Sequence, residues 1–146
     1  MVAACNAVVG SAGSDTGTVT VGDASAWTVA NDGTVGGPLL PDSGTETVSY
    51  TVTNPSDGHQ YLKSVKVTIP SSDGDVLDST SHLAITGCKA SWFQVTDDNT
   101  GLPADIAGHD TYSGSSDIVL NNSTTDNQDA CKNASFDVTI TASSVD

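Results

Sequence analysis

The chain has 146 residues, which is enough for one domain with a single hydrophobic core. Its formal net charge is −14, and it has four lysines, no arginine and eighteen acids, of which Glu46 is the only glutamate. A surface of this charge repels phosphate backbones and anionic lipids, so we expect no nucleic-acid binding. No apolar run approaches the ~18 residues of a membrane span, so we expect no membrane insertion.

The N-terminal residues MVAACNAVVGSAG lack the basic and long apolar segments of a secretion signal. We therefore predict an apolar N-terminal arm over residues 1–15 that docks on a neighbouring subunit, followed by one β-sandwich domain over residues 16–146. The letters VAAC match the end of a bacterial lipoprotein signal. Cys5 is thus left open as a lipid anchor, an intermolecular link or an unpaired residue.

Apolar and polar residues alternate with a period of two along most of the chain, and no stretch sustains a helical period. Residues 45–53, TETVSYTVT, show this best, because Val48, Tyr50 and Val52 alternate with Thr and Ser. The same pattern predicts strands at TGTVTV (16–21), AWTVAN (26–31), YLKSVKVTI (61–69), HLAIT (82–86), SWFQVT (91–96), SDIVLN (116–121) and SFDVTITA (135–142).

Turn-forming residues separate these segments. Pro38 and Pro41 are expected to keep the connection over residues 36–44 extended. Eight or nine short strands, buried on one side and without crossover helices, predict an all-β protein with an antiparallel Ig-like β-sandwich. The predicted turns are Asn31-Asp32-Gly33, Asn54-Pro55, Ser56-Asp57-Gly58, Asp73-Gly74 and Asn99-Thr100-Gly101.

Cys88 and Cys131 lie in similar surroundings, GCKASWFQV and ACKNASFDV. Each comes just before a predicted strand, and an antiparallel sandwich can bring two strand starts together at one end. We predict a disulfide between them, which the chain-entropy description values at about 4 kcal/mol. The alternative is two free buried thiols. No zinc-binding spacing accompanies them.

The sequence contains no G-x-S-x-G, H-E-x-x-H or P-loop motif. His59, His82 and His109 lie in turn-like or strand-edge contexts with no recognisable partner. We therefore expect no enzymatic activity and no cofactor.

The stretch SDGDVLD places three carboxylates, Asp73, Asp75 and Asp78, close together in the chain. They could serve as a carboxylate pair for glycoside hydrolysis or as Ca²⁺ ligands, but their spacing departs from that of a calcium loop. A charged turn is the better interpretation, as it is for TDDNTG at residues 96–101. Whether any of these Asp-rich turns binds calcium stays open.

The stretch GPLLPDSGTETVSYTVTNPSDGHQYLKSVKVTI resembles Ig-like surface domains of actinobacterial secreted proteins. The likeness continues through GCKASWFQV, LPADIAGHDTYSGSSDIVLNN and NQDACKNASFDVTITAS and covers about residues 18–143, with TNP and NQDACK as its most specific parts. The resemblance implies a β-sandwich in which Cys88 and Cys131 are bridged and no residue is catalytic. Similar modules occur on the virions of phages that infect such bacteria.

Two functions are expected from these observations. The first is a non-catalytic structural protein on the outside of a phage virion, such as a capsid decoration, because a virion protein needs no export signal. The alternative is a secreted or cell-surface structural or adhesive module of an actinobacterium. In either case the expected partners are identical copies or a major scaffold or capsid protein. The adhesive variant adds a cell-surface glycan, for which Trp27, Tyr50, Tyr61, Trp92 and Tyr112 could supply a stacking surface. In alternating strands, however, the favoured interpretation is that Trp27 and Trp92 belong to the core.

Overall fold

The computed structural model describes residues 2–9, 18–21, 27–36 and 39–144, and these form twelve strands. The strands are β1 Val2–Val9, β2 Thr18–Val21, β3 Thr28–Gly36, β4 Glu46–Thr53, β5 Gln60–Thr68, β6 Ser71–Ser72, β7 Asp75–Leu77, β8 Ala84–Lys89, β9 Phe93–Asp98, β10 Ala104–Ile106, β11 Thr111–Leu120 and β12 Phe136–Ser144. Sheet A has the strand order β10-β5-β12-β1-β2, and sheet B has the order β3-β4-β11-β9. A smaller sheet contains β6-β7-β8. All the pairings are antiparallel.

The antiparallel β-sandwich predicted from the alternating sequence is confirmed. In β4, Val48, Tyr50 and Val52 are fully buried and the residues between them are half-buried. Because successive strand residues point to opposite faces, β4 presents one apolar face to the core. Buried residues from both large sheets form one cluster, which includes Trp27, Val29, Val48, Tyr50, Val52, Leu62, Val65, Val67, Ile118, Leu120, Phe136, Val138, Ile140 and Ala142.

The strand count exceeds the predicted eight or nine for two reasons. Strands β6, β7 and β10 have only two or three residues, which is too short for a periodic signal. The other addition is β1, in the segment predicted to be an arm.

The structure differs from the predicted arm over Val2–Val9. This segment pairs with β12 along its whole length, from Val2 opposite Ser143 to Val9 opposite Phe136, and with β2 on its other side. Its sequence, VAACNAVV, is almost continuously apolar, so it gives no alternation to recognise. Cys5 is opposite Ile140 in this register, which places its main chain inside sheet A.

A β-bulge in β5 changes which residues face the core. The pairing with β12 shifts between Ser143 and Ser144, so that an extra β5 residue is accommodated. As a result Leu62 and Val65 are both fully buried although they are three residues apart. The period-two pattern predicted Val65 and Val67 correctly but could not include Leu62.

Two predicted connections take other forms in the structure. Asn31-Asp32-Gly33 is a bulge inside β3, with Gly33 at a φ of 123°, rather than a turn between strands. The predicted extended connection over residues 36–44 contains a tight turn instead. Leu40 and Ser43 exchange two main-chain hydrogen bonds around Pro41 and Asp42, since Pro fits the first central position of a turn.

Side chains at the end of β9 cover part of the edge of β5 that β10 leaves open. Asn99 Oδ1 accepts a hydrogen bond from the N–H of Val65 at 2.8 Å, and Asp97 Oδ1 accepts one from Val67 at 2.9 Å. The hydroxyl of Ser116 on β11 also donates to Asp97 Oδ1 at 2.6 Å. Asp97 therefore joins the two sheets and occupies an edge amide that an added strand would need.

Candidate functional site

The predicted disulfide is present. Cys88 at the end of β8 and Cys131 in the single-turn helix Asp129–Cys131 are joined by an S–S bond of 2.06 Å, with their Cα atoms 5.0 Å apart. Both half-cystines are buried. Cys131 therefore serves as a crosslink, and the alternative of two free thiols is excluded.

The disulfide attaches the small β6-β7-β8 sheet to the connection between β11 and β12. Two further contacts join the same regions: Asp78 forms a bridge with Phe136, and the N–H of Ser79 donates to the carbonyl of Ser135 at 3.0 Å. Within the small sheet, β6 and β7 form a hairpin closed at Asp73-Gly74, and both of these residues have the positive φ that this tight turn requires. The insertion between β5 and β9 is thus anchored to the sandwich by the disulfide, by these main-chain contacts and by Val76, which is buried in the core.

The five aromatic residues considered for glycan stacking differ in burial, and Trp27 is a core residue, as the favoured interpretation expects. Trp27 and Tyr50 are fully buried, and the indole N–H of Trp27 donates to Ser144 Oγ at 2.8 Å. Trp92 and Tyr112 are half-buried against the core. Tyr61 is the exception, with 57% of its surface exposed.

Each of the three histidines has a carboxylate partner, which the sequence did not indicate. His82 Nδ1 lies 2.6 Å from Asp137 Oδ2. This hydrogen bond, together with the charge of the carboxylate, raises the pKa of His82. Asp137 is buried while His82 is largely exposed, so the imidazole satisfies a carboxylate that burial would otherwise leave unpaired.

The other two histidines link the β4–β5 loop to the β10–β11 region. His59 Nδ1 lies 3.0 Å from Asp105 Oδ2, and His109 Nε2 lies 2.8 Å from Asp57 Oδ1. A Cβ atom at Gly108 would lie 2.4 Å from the Asp57 carbonyl oxygen, so glycine permits the close approach of the two loops. Both histidine–aspartate pairs therefore hold the two loops together.

Asn54, from the TNP motif, is the centre of the same loop pair and is completely buried. Its amide nitrogen donates to the carbonyls of Gly58, Ile106 and Ala107 at 2.7, 2.9 and 3.2 Å. Its side-chain oxygen accepts from the N–H and hydroxyl of Ser56. One asparagine thus satisfies polar groups of two loops, which explains why the TNP motif has an asparagine at this position.

We expect Asn54→Ala to lower the free energy of unfolding by about 2–3 kcal/mol, because buried carbonyls lose their donor. Asn54→Asp keeps the shape but removes the amide donor, so it should cost at least as much. Urea unfolding measures both, with the exposed Asn122→Ala as a control expected to stay within about 0.5 kcal/mol of the parent protein. A loss below that level for Asn54→Ala would contradict the role given to this residue.

The acidic turns have structural roles. Asp75 Oδ1 pairs with Lys89 Nζ at 2.6 Å across β7 and β8. Asp78 accepts hydrogen bonds from the N–H groups of Thr80 and Ser81, which lowers its pKa. Among the described residues, no three His, Cys, Asp or Glu side chains gather into a group that could hold a metal ion.

The strands of sheet B carry acids and no lysine. The acids are Asp32, Glu46, Asp97, Asp98 and Asp117. Asp32, Asp98 and Asp117 are exposed. Asp32 and Asp117 accept hydrogen bonds from outward-facing threonines of β4, so both lie on the outer face of the sheet.

The outer face of sheet A carries the opposite charge. Lys63 and Lys66 on β5 are exposed, and neither forms an ion pair with any residue that the structure describes. The exposed Tyr61 lies on the same strand. The acids of the sheet A strands, Asp105 and Asp137, are each paired with a histidine. The two outer faces are therefore complementary in charge.

Glu46 is a buried carboxyl group that forms no ion pair with the described residues. Only 2% of it is exposed, and its Oε2 has no hydrogen-bond partner within the described ranges. Its register neighbours are Gly36 on β3 and Ile118 on β11, neither of which carries a charge. Burial raises the pKa of Glu46 from 4.5 to about 7. The burial of Glu46 could be predicted from the sequence, since Glu46, Val48 and Tyr50 are two residues apart and their side chains therefore point to the same face of β4.

Comparison of the chain with protein-family models, with curated proteins and with solved structures finds no match. The resemblance to actinobacterial and phage surface domains therefore stays a prediction. In the portion of the chain that the structure describes, no helix is long and apolar enough to cross a bilayer.

Proposed function

We propose that this chain is a non-catalytic structural protein, a β-sandwich displayed on an outer surface and assembled with identical copies or with a scaffold protein. The observation that carries the proposal is the buried disulfide between Cys88 and Cys131. Structural disulfides form and persist in oxidising surroundings and are rare in a reducing cytosol. A crosslink that anchors an inserted sheet suits a protein exposed outside the cell.

The polar side chains supply a second line of support. The carboxylates and imidazoles that chemistry would need are used to hold the fold, as in the pairs His82–Asp137 and Asp75–Lys89. Asp97 is engaged by both sheets and covers part of an edge. Assembly through the covered part of β5 by strand addition is therefore disfavoured.

The surface could belong to a phage virion, as a capsid decoration, or to an actinobacterial cell. The resemblance supports both settings, and the disulfide favours the cell-surface or secreted one, because exported proteins are oxidised as they leave the cytosol. A virion protein could acquire the same bond after release from the host. Glycan stacking is not part of the proposal, because Trp27 and Tyr50 are buried.

Immunogold electron microscopy of the source cells and their phage particles tests the proposal. Antibodies raised against the folded protein should label intact, unpermeabilised cells or intact virions, and the labelled object decides between the two settings. Antibodies pre-absorbed with the pure protein are the control. Label that appears only after permeabilisation, in the cytoplasm, would refute a surface function.

A further inference from the structure

We infer that copies of this chain stack face to face, with the outer face of sheet A of one copy against the outer face of sheet B of the next. The inference rests on the proposed assembly function and names the surfaces that this function would use. The two contacting faces differ, so a stack of any length has a free sheet A face at one end and a free sheet B face at the other. Further copies can add at either end, and repeated stacking gives a linear filament.

Charge complementarity selects this pairing. Lys63 and Lys66 are exposed on sheet A and lack an acidic partner in the described residues. The outer face of sheet B offers Asp32, Asp98 and Asp117, with no lysine in its strands. Stacking A on A would oppose lysines, and stacking B on B would oppose carboxylates, so both like-face arrangements are disfavoured.

The area of the faces is compatible with a weak contact. The five strands of sheet A contain 33 residues in total, and a rise of ~3.3 Å per residue with a strand spacing of ~4.8 Å gives its face an area of roughly 500 Å². A stable protein interface buries about 800 Å² on each partner. We therefore expect reversible stacking with dissociation constants of about 1 μM or weaker, reinforced where copies are held on a surface.

The net charge of −14 opposes association at long range. At physiological ionic strength the Debye length is about 8 Å, so distant charges are largely screened while charges across the contact still interact. The stacking should accordingly be strongest near physiological salt. It should weaken at an ionic strength of about 1 M, where the Debye length falls to ~3 Å and charges across the contact are screened as well. The hydroxyl-rich remainder of both faces can hydrogen-bond directly or through water.

Sedimentation velocity at increasing protein concentration tests the inference with matched charge reversals. Lys66→Glu should weaken association about tenfold, whereas Lys132→Glu, which makes the same charge change at an exposed residue outside both sheets, should not. On the other face, Asp117→Lys should weaken it by a similar factor, and Asp110→Lys in the preceding loop should not. Thermal melts of each variant confirm that it is folded.

The decisive sample is a mixture of Lys66→Glu with Asp117→Lys. Each variant alone opposes like charges, but alternating copies restore opposite charges at every contact, so the mixture should associate as the parent protein does. A parent protein that stays monomeric up to about 1 mM, or control variants that weaken association equally, would overturn the inference. Neither result would alter the immunogold localisation, which tests the proposed function separately.

Discussion

Replacing Cys88 and Cys131 together by alanine is expected to lower the free energy of unfolding by about 4 kcal/mol. The bond closes a loop with a sequence separation of 43, and its loss returns that loop-closure entropy to the unfolded chain. For a domain of this size, the melting temperature should fall by roughly 10 °C. Urea unfolding of the parent protein and of the double variant measures the difference, and dithiothreitol should reproduce it in the parent protein alone.

The inserted sheet should be the first region affected. Without the disulfide, the inserted sheet loses its covalent link to the β11–β12 connection and keeps its own pairings, the buried Val76, the His82–Asp137 contact and the main-chain contacts to Ser135 and Phe136. Limited proteolysis of the double variant should therefore begin within residues 71–89. Cys5→Ala is the control, since it changes a thiol without touching the bridge. An unchanged melting temperature in dithiothreitol would show that the crosslink does not stabilise the fold.

Replacing Glu46 by glutamine is expected to raise the free energy of unfolding at pH 8 by about 3 kcal/mol. In the folded chain the pKa of Glu46 is about 7, against 4.5 in the unfolded chain. Between these values the folded chain holds a proton that the unfolded chain releases, so the parent protein loses stability as the pH rises from about 4.5 to about 7 and then levels off. Glutamine keeps the neutral, hydrogen-bonding shape and removes this loss.

The pH dependence of the free energy of unfolding, measured for the parent and variant proteins, distinguishes the contribution of Glu46 from those of other titrating groups. Protonated His82 gains its partner Asp137 in the fold, so its raised pKa also favours stability on the acid side, and this part should persist in Glu46→Gln. Asp117→Asn, an exposed change that keeps an acceptor for Thr47, is the control and should leave the Glu46 slope in place. If Glu46→Gln and the parent protein show parallel stability curves from pH 5 to pH 8, the carboxyl is not held neutral by burial.

The sandwich could be predicted because its central strands alternate regularly. Val48, Tyr50 and Val52 in β4 follow the period-two pattern closely, and their burial is as expected. The disulfide could also be predicted, since both cysteines lie at strand boundaries that an antiparallel fold can bring together at one end. These features depend on local sequence and on a topology that the alternation already implies.

Other features depend on contacts that no local pattern contains. The bulge that buries both Leu62 and Val65 is set by the register with β12. Asn54 acquires its partners Ile106 and Ala107 only when a loop more than fifty residues away folds against it. The partition of charge is similar. The total charge follows from the composition, but the bulge in β5 decides that Lys63 and Lys66 share one face, and the strand order gathers the exposed aspartates in the other sheet.

The most direct test of a disulfide-stabilised surface protein is the oxidation state of its cysteines in the native source. Free thiols are alkylated as cells and particles are opened, and peptides from the surface and cytosolic fractions are then analysed by mass spectrometry without reduction. The proposed function predicts that the protein is recovered in the surface or virion fraction with the Cys88 peptide linked to the Cys131 peptide. Recovery in the cytosol with both cysteines alkylated would contradict it.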